Sequence, residues 1–77
     1  MVLDLIVDQS DDGYSTEIPS IKGCESWAHN EDDAISKTLE LFRFYIQVDT
    51  NFKIKVDLAR KEGFRKIYKI IFDKQHA

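Results

Sequence analysis

The sequence is short of the residues that build most disulfide, metal and nucleotide sites. Its one cysteine, Cys24, cannot form a disulfide within the chain, which favours a reducing compartment, and we predict a cytoplasmic protein. Its two histidines, His29 and His76, have no metal-ligand spacing with Cys24. Its three glycines do not form a phosphate-binding loop. We therefore expect no metal site, no cofactor and no catalytic residue.

Long apolar runs are absent as well. No segment approaches the roughly 18 apolar residues of a membrane-spanning helix, and no basic segment precedes the first apolar residues, so we predict neither membrane insertion nor secretion. The 77 residues, of which 43% are hydrophobic and 32% charged, are typical of one folded domain, residues 1–77. A core of this size leaves only a small net stability, so self-association is expected.

Alternating apolar and polar residues predict three strands in the first 28 positions. The first covers residues 2–8 and the second residues 14–18, and the Asp-Gly pair ending at Gly13 predicts a hairpin in which Gly13 supplies a positive φ. Pro19 ends the second strand because proline has no N–H to donate. A short third strand is predicted over residues 24–28.

A helix is predicted from Glu31, since Asn30 is suited to cap its first turn and Asp33 can complete a capping box. Apolar spacings of four, three and four then define the predicted buried face, made of Ile35, Leu39, Phe42 and Ile46. A second apolar set lies off that face, Leu41, Phe44, Tyr45 and Val48. We therefore expect the helix to be covered on more than one side, by the C-terminal segment, another subunit or a partner.

The C-terminal third predicts a hairpin. Strict alternation over residues 52–58 predicts a strand with one buried and one solvent-facing side, and residues 60–63 are interpreted as a turn. Residues 64–72 fit either a helical face or a strand, and we choose a strand because β-branched and aromatic residues dominate. Residues 73–77 are expected to fray. The predicted fold class is α+β, a two-layer β-β-β-α-β(-β) domain with one helix on one face of an antiparallel sheet.

Charge divides the chain into an acidic part and a basic part. Residues 1–51 hold three basic and eleven acidic side chains, whereas residues 52–77 hold eight basic and three acidic ones. The two parts can lie against each other, or the basic part can contact nucleic acid. The basic residues interleaved with aromatic ones form the candidate nucleic-acid surface, Lys53, Lys55, Arg65, Lys66 and Lys69.

A protein-binding surface is the other hypothesis. Trp27 is predicted on the short third strand, where it either packs in the core, the commoner role, or anchors a partner, since tryptophan is enriched at the energetic centres of interfaces. With the second apolar set of the helix it forms the candidate partner surface, Trp27, Leu41, Phe44, Tyr45 and Val48. A two-metal nuclease site built from Asp4, Glu40 and Asp57 is not favoured, since the periodicity directs these carboxylates away from the buried sides.

One stretch resembles a known family. A strand ending in proline, a Gly-Cys corner, a serine and a helix opening with an acidic residue and alanine follow each other as in HicB-like antitoxin domains. The matching residues are Gly13, Tyr14, Pro19, Gly23, Cys24, Ser26, Asp33 and Ala34. The resemblance covers residues 2–46. It implies a fold similar to a truncated ribonuclease H fold without catalytic apparatus.

The resemblance also implies a function. In that family the domain masks a small toxin that cleaves mRNA, and a separate C-terminal segment often binds operator DNA. We expect no such segment here, and the leading hypothesis is a non-enzymatic antitoxin-like binding module. It would bind a small basic toxin, or be an orphan of such a system, and would form a homodimer or higher oligomer through the helix and the last hairpin.

Overall fold

The computed structural model describes residues 1–49 and 51–73, so His76 and most of the expected frayed tail lie outside the described residues. Within them the elements are β1 (Val2–Gln9), β2 (Tyr14–Glu17), β3 (Glu25–Ala28), α1 (Glu31–Tyr45), β4 (Lys55–Glu62) and β5 (Arg65–Ile71). The chain is a small α+β domain with a five-stranded antiparallel sheet and one helix among the described residues. The strand interpretation of the last segment is confirmed.

The sheet has the order β3-β2-β1-β5-β4, which leaves β3 and β4 as its edges. Every neighbouring pair is antiparallel, including the predicted β1–β2 hairpin. The central strand, β1, also pairs with β5 over seven positions, from Val2 opposite Ile71 to Asp8 opposite Arg65. The two ends of the described chain are therefore joined in the middle of the sheet.

The start of α1 is confirmed. The Asp33 amide donates to Asn30 Oδ1 at 2.8 Å, and Asn30 Nδ2 donates to Asp33 Oδ2 at 3.0 Å, so the two residues cap each other. Three acidic residues in the first turn, from Glu31 to Asp33, complement the positive end of the helix dipole.

The end of α1 differs from the prediction. The apolar periodicity runs to Val48, but the helix ends at Tyr45, with Ile46 as its C-cap. Gln47 adopts φ 59° and donates its amide to the Phe44 carbonyl at 3.2 Å, while the Val48 amide donates to the Arg43 carbonyl at 3.1 Å. These two bonds and the left-handed residue form a Schellman motif. The prediction of Val48 on the helix surface is therefore wrong.

The buried side of α1 is centred one residue away from the predicted face. Ala34, Thr38 and Phe42 are fully buried, whereas Ile35 and Leu39 are only partly buried. Small residues at the centre let the helix approach the sheet closely. Below it lies the apolar core, made of Leu5, Val7, Ile18, Cys24, Phe42, Ile70 and Phe72.

A buried hydroxyl pair joins the two layers. Thr16 Oγ1 on β2 donates to the Ala34 carbonyl at 2.9 Å and is also hydrogen-bonded to the Thr38 hydroxyl. Because the carbonyl can only accept, Thr38 must donate to Thr16. Both threonines are buried without an unsatisfied oxygen, and a hydroxyl left without a partner there would cost about 1–3 kcal/mol.

The β4–β5 hairpin differs most from the prediction. β4 starts at Lys55 and runs through the predicted turn to Glu62, and the actual turn contains Gly63 at φ 60°. The apolar side predicted for residues 52–58 is confirmed for Phe52, Ile54 and Val56, which are partly buried against the core, and it is wrong for Leu58, which is 53% exposed. Helix α1 makes its close contacts with β2 and β3, and the outer half of β4 extends beyond it.

Replacing Gln47 by glycine should stabilise the domain. A side chain at positive φ costs about 1 kcal/mol that glycine avoids, so Gln47→Gly is expected to raise the free energy of unfolding by up to about 1 kcal/mol. Urea unfolding followed by circular dichroism measures the change. Gln47→Ala, which keeps the Cβ, is the matched control and should not be stabilised. A Gln47→Gly variant less stable than the parent would contradict the described helix end.

Candidate binding surfaces

The outer side of α1 carries an apolar patch. We call Leu41, Phe44 and Tyr45 the helix stripe. Phe44 is 79% exposed and Tyr45 and Leu41 are also exposed, with the rings of Phe44 and Tyr45 meeting edge to face at a centroid distance of 6.4 Å. Val48, beyond the helix end, is partly buried. The described chain leaves much of the helix stripe uncovered, and Phe44 most of all, although the Tyr45 hydroxyl lies close to Gly23, so the stripe is available to a second molecule.

Trp27 is not part of that patch. Its neighbour Ser26 lies opposite Thr16, which faces α1, so Trp27 points to the other side of the sheet. We call this other side the open face. Trp27 is 41% exposed there, with its ring against His29 at 4.8 Å and its indole over Gly13. The structure therefore divides the candidate partner surface between its two layers.

Gly13 is required for a different reason from the one predicted. Its φ is not positive; the glycines with positive φ in the described chain are Gly23 and Gly63. A Cβ at Gly13 would lie against the Trp27 ring and 2.6 Å from the Ala28 carbonyl oxygen. Close approach of β3, rather than turn geometry, explains the glycine.

The candidate nucleic-acid residues are also divided. Arg65, Lys69 and Lys55 lie on the open face, Lys66 faces α1, and Lys53 precedes β4. Four of these five side chains are within 4 Å of a carboxylate. The ion pairs are Lys55–Asp57, Arg65–Asp8, Lys66–Glu31 and Lys69–Asp4. The positive charge of these four side chains is therefore partly compensated within the chain. Nucleic-acid binding stays a prediction.

The open face has a regular pattern that follows from strand register. Along β1 and β5, apolar pairs alternate with oppositely charged pairs: Val2 with Ile71, Asp4 with Lys69, Ile6 with Ile67, and Asp8 with Arg65. Arg65 Nε donates to Asp8 Oδ1 at 2.8 Å. The acidic and basic parts of the sequence thus lie against each other. Sequence alone could not reveal these pairs, since they depend on which strand neighbours β1.

A polar cluster ties β5 to the start of α1. Glu31 accepts hydrogen bonds from Lys66, at 2.9 Å, and from the Tyr68 hydroxyl. Burial alone would raise the pKa of Glu31, but these two hydrogen bonds together with the positive charges of Lys66 and Lys61 outweigh it and lower that pKa below its usual value of 4.5. Burial and the hydrogen bond to Glu31 raise the pKa of Tyr68 to about 12. Each oxygen of the Glu31 carboxylate thus accepts one hydrogen bond from β5, and the cluster acts as a structural anchor.

The remaining reactive groups are in structural positions. Cys24 is buried, its Sγ lies 3.6 Å from the Thr38 carbonyl oxygen, and burial raises the pKa of its thiol, so the neutral form dominates. Across residues 1–49 and 51–73, no three His, Cys, Asp or Glu side chains are grouped as a metal site would require. In the same residues no helix has the length and apolarity needed to cross a membrane.

Comparison with other proteins adds no assignment. A scan against protein-family models and searches of curated proteins and of solved structures found no match to this chain.

A methyl group at Gly13 should displace Trp27. Gly13→Ala is expected to lower the free energy of unfolding by about 1–3 kcal/mol through overpacking and to shift the fluorescence maximum of Trp27. Gly63→Ala is the control, because a Cβ there meets no atom within 4 Å. This variant should lose only the free energy that a side chain costs at positive φ, and its Trp27 emission should be unchanged. Parent-like stability and emission of Gly13→Ala would contradict the described packing.

The Glu31 cluster should make stability depend on pH at both extremes. Since folding lowers the pKa of Glu31, its contribution is present above 4.5 and is lost as the pH falls through the lower folded value. Since folding raises the pKa of Tyr68 from 10.0 to about 12, its contribution is present below 10 and is lost as the pH rises through 12.

Urea midpoints measured across these two pH ranges test the cluster. Glu31→Gln should flatten the acid limb, and Tyr68→Phe should flatten the alkaline limb. Glu40→Gln removes an exposed carboxylate of the same helix and serves as the control. If Glu31→Gln keeps the parent's acid dependence, the assignment to this cluster is wrong.

Proposed function

We propose that this chain is a non-enzymatic binding module of the HicB-like antitoxin type, which masks a small basic toxin that cleaves mRNA. The proposal rests on the residues from Gly13 to Ala34 that resemble the family and on the element order β-β-β-α-β-β. That order agrees with the truncated ribonuclease H-like fold that the resemblance implies, with one strand added.

The observation that carries the proposal is the exposure of the helix stripe. A phenylalanine exposed as far as Phe44, beside Leu41 and Tyr45, is typical of a surface that another protein covers. Among the other exposed side chains of α1, Asp32, Asp33 and Glu40 are acidic and Lys37 is basic. The excess of acidic over basic side chains on this helix favours a basic partner.

The non-enzymatic part has its own support. The thiol of Cys24 is buried and neutral, and Asp4 and Asp57 are held in ion pairs with lysines on the open face. Glu40 is exposed on α1, on the opposite side of the sheet from Asp4. Asp4 and Asp57 lie on the open face on either side of Lys69, and Glu40 lies on the other side of the sheet, so the three carboxylates considered for a nuclease site do not converge.

The reading frame next to this one on the chromosome supplies the test. It should encode a basic chain of about 60 to 80 residues, within the size of a single small domain. That chain should arrest growth when expressed alone, and co-expression of the parent protein should restore growth. Phe44→Asp should weaken the complex by about thirtyfold, as expected for an interface centre, and should fail to restore growth.

Phe64→Asp is the matched control. Phe64 is 77% exposed at the β4–β5 turn, so the same substitution is made at an equally exposed phenylalanine away from α1. It should bind as the parent does. A neighbouring chain that is absent or does not bind would refute the masking function. Equal binding by Phe44→Asp would show that the helix stripe is not the surface.

A further inference from the structure

Strand β4 is an uncovered sheet edge. It pairs with β5 on one side only, and each of its eight residues except Val56 is exposed. An edge strand presents a row of N–H and C=O groups that can pair with another strand. Leu58, at its centre, is 53% exposed, which adds an apolar side chain to the edge.

The sequence of β4 is complementary in charge to itself when reversed. It reads KVDLARKE, and its midpoint falls between Leu58 and Ala59. In an antiparallel pair about that midpoint, Lys55 lies opposite Glu62 of the second strand, and Asp57 lies opposite Arg60. By symmetry each pairing occurs twice, giving four oppositely charged pairs. Opposite charges directly across a pair of strands stabilise it.

A β-bulge places these charges on one side of the sheet. The register with β5 shifts between Leu58 and Arg60, so Ala59 is an extra residue. The four charged residues lie opposite Ile71, Lys69, Ile67 and Arg65, which all belong to the open face. Without the bulge, Asp57 and Arg60 would lie on opposite faces, because side chains alternate along a strand. The bulge therefore makes the self-complementarity possible.

We propose that two copies of this chain associate through antiparallel pairing of their β4 strands, with the two-fold axis between Leu58 and Ala59. The two five-stranded sheets then form one continuous sheet. At the axis, the bulge of one copy lies opposite the identical bulge of the second copy. A regular strand opposite the bulge would have its side chains out of register with it. The exposed Leu58 side chains of the two copies come together diagonally across the axis.

The charges already present in one chain fit this arrangement. Within β4, Lys55 lies 3.6 Å from Asp57, and Arg60 lies 3.3 Å from Glu62, with all four side chains exposed. In the dimer, each of these four side chains would have one oppositely charged neighbour along its own strand and a second one across the interface. Positive and negative charges would then alternate both along and across the strands. The other edge, β3, has four residues and one charge, Glu25, and offers no such match.

This inference deepens the self-association expected of the proposed binding module, but its surface is separate from the helix stripe. The test uses the purified chain alone, so failure of toxin masking and failure of self-association are distinguishable. Sedimentation velocity over a concentration range should show the parent in a monomer–dimer equilibrium. A parent that stays monomeric up to millimolar concentration overturns the proposal.

Charge reversal tests the register. Asp57→Arg places two arginines opposite each other at both symmetric positions, and Arg60→Asp does the same with two aspartates. Each variant alone should dimerise at least roughly tenfold more weakly than the parent. Mixed in equal amounts, they should form a heterodimer at the parent's concentration range, because both crossed pairs are then oppositely charged. The combined variant D57R/R60D should dimerise with itself.

Glu25→Arg is the matched control, since it makes the same charge change on the other edge strand, and it should dimerise as the parent does. Circular dichroism of each variant checks that it is folded. If the single variants dimerise like the parent, or if mixing them restores nothing, the proposed pairing is wrong. Loss of the dimer in Phe44→Asp instead would assign self-association to the helix stripe and overturn the proposal.

Discussion

The position of the helix on the sheet depends on the contact among Thr16, Ala34 and Thr38. Two small residues let α1 approach β2 closely, and the hydroxyl bridge satisfies the hydroxyl groups of Thr16 and Thr38 that this approach buries. Hydrophobic burial would hold the helix on the sheet without fixing its position, whereas this directional bond places it over β2 and β3. One helix of 15 residues cannot also cover β4, so the second edge is left to solvent or to another molecule.

Local patterns predicted most of the fold. The β1–β2 hairpin, the capped start of α1 and the order of the elements follow from turn residues, capping residues and periodicity near each element. The end of α1 was not predictable in this way, because Gln47 adopts a backbone conformation that its side chain does not favour. The buried face was displaced because tertiary packing selected Ala34 and Thr38, which an apolar pattern does not score.

The sequence predicted which residues form the candidate surfaces, but not where those residues lie in the fold. Trp27 and Phe44 both belong to the predicted partner surface. Strand alternation puts Trp27 on the open face, whereas Phe44 lies on the outer side of α1. The charge asymmetry is visible in the composition, but its structural role is not. The acidic and basic parts lie together because β1 pairs with β5, which brings Asp8 to Arg65 from the other end of the chain. In the sequence, the bulge at Ala59 is visible only as a break in the apolar–polar alternation after Leu58. Such a break resembles the start of a turn.

The pairing of the first and last strands has a consequence for how the domain forms. The β4–β5 hairpin closes a short loop, whereas the β1–β5 ladder joins Val2 to Ile71 and closes a loop of nearly the whole chain, which costs more chain entropy. Before that ladder forms, the inner edge of β5 has no strand partner. A chain at high local concentration therefore has two competing partners for that edge, its own β1 and the β1 of a neighbour. Exchange of β1 between copies is thus a misfolding route that this topology leaves open.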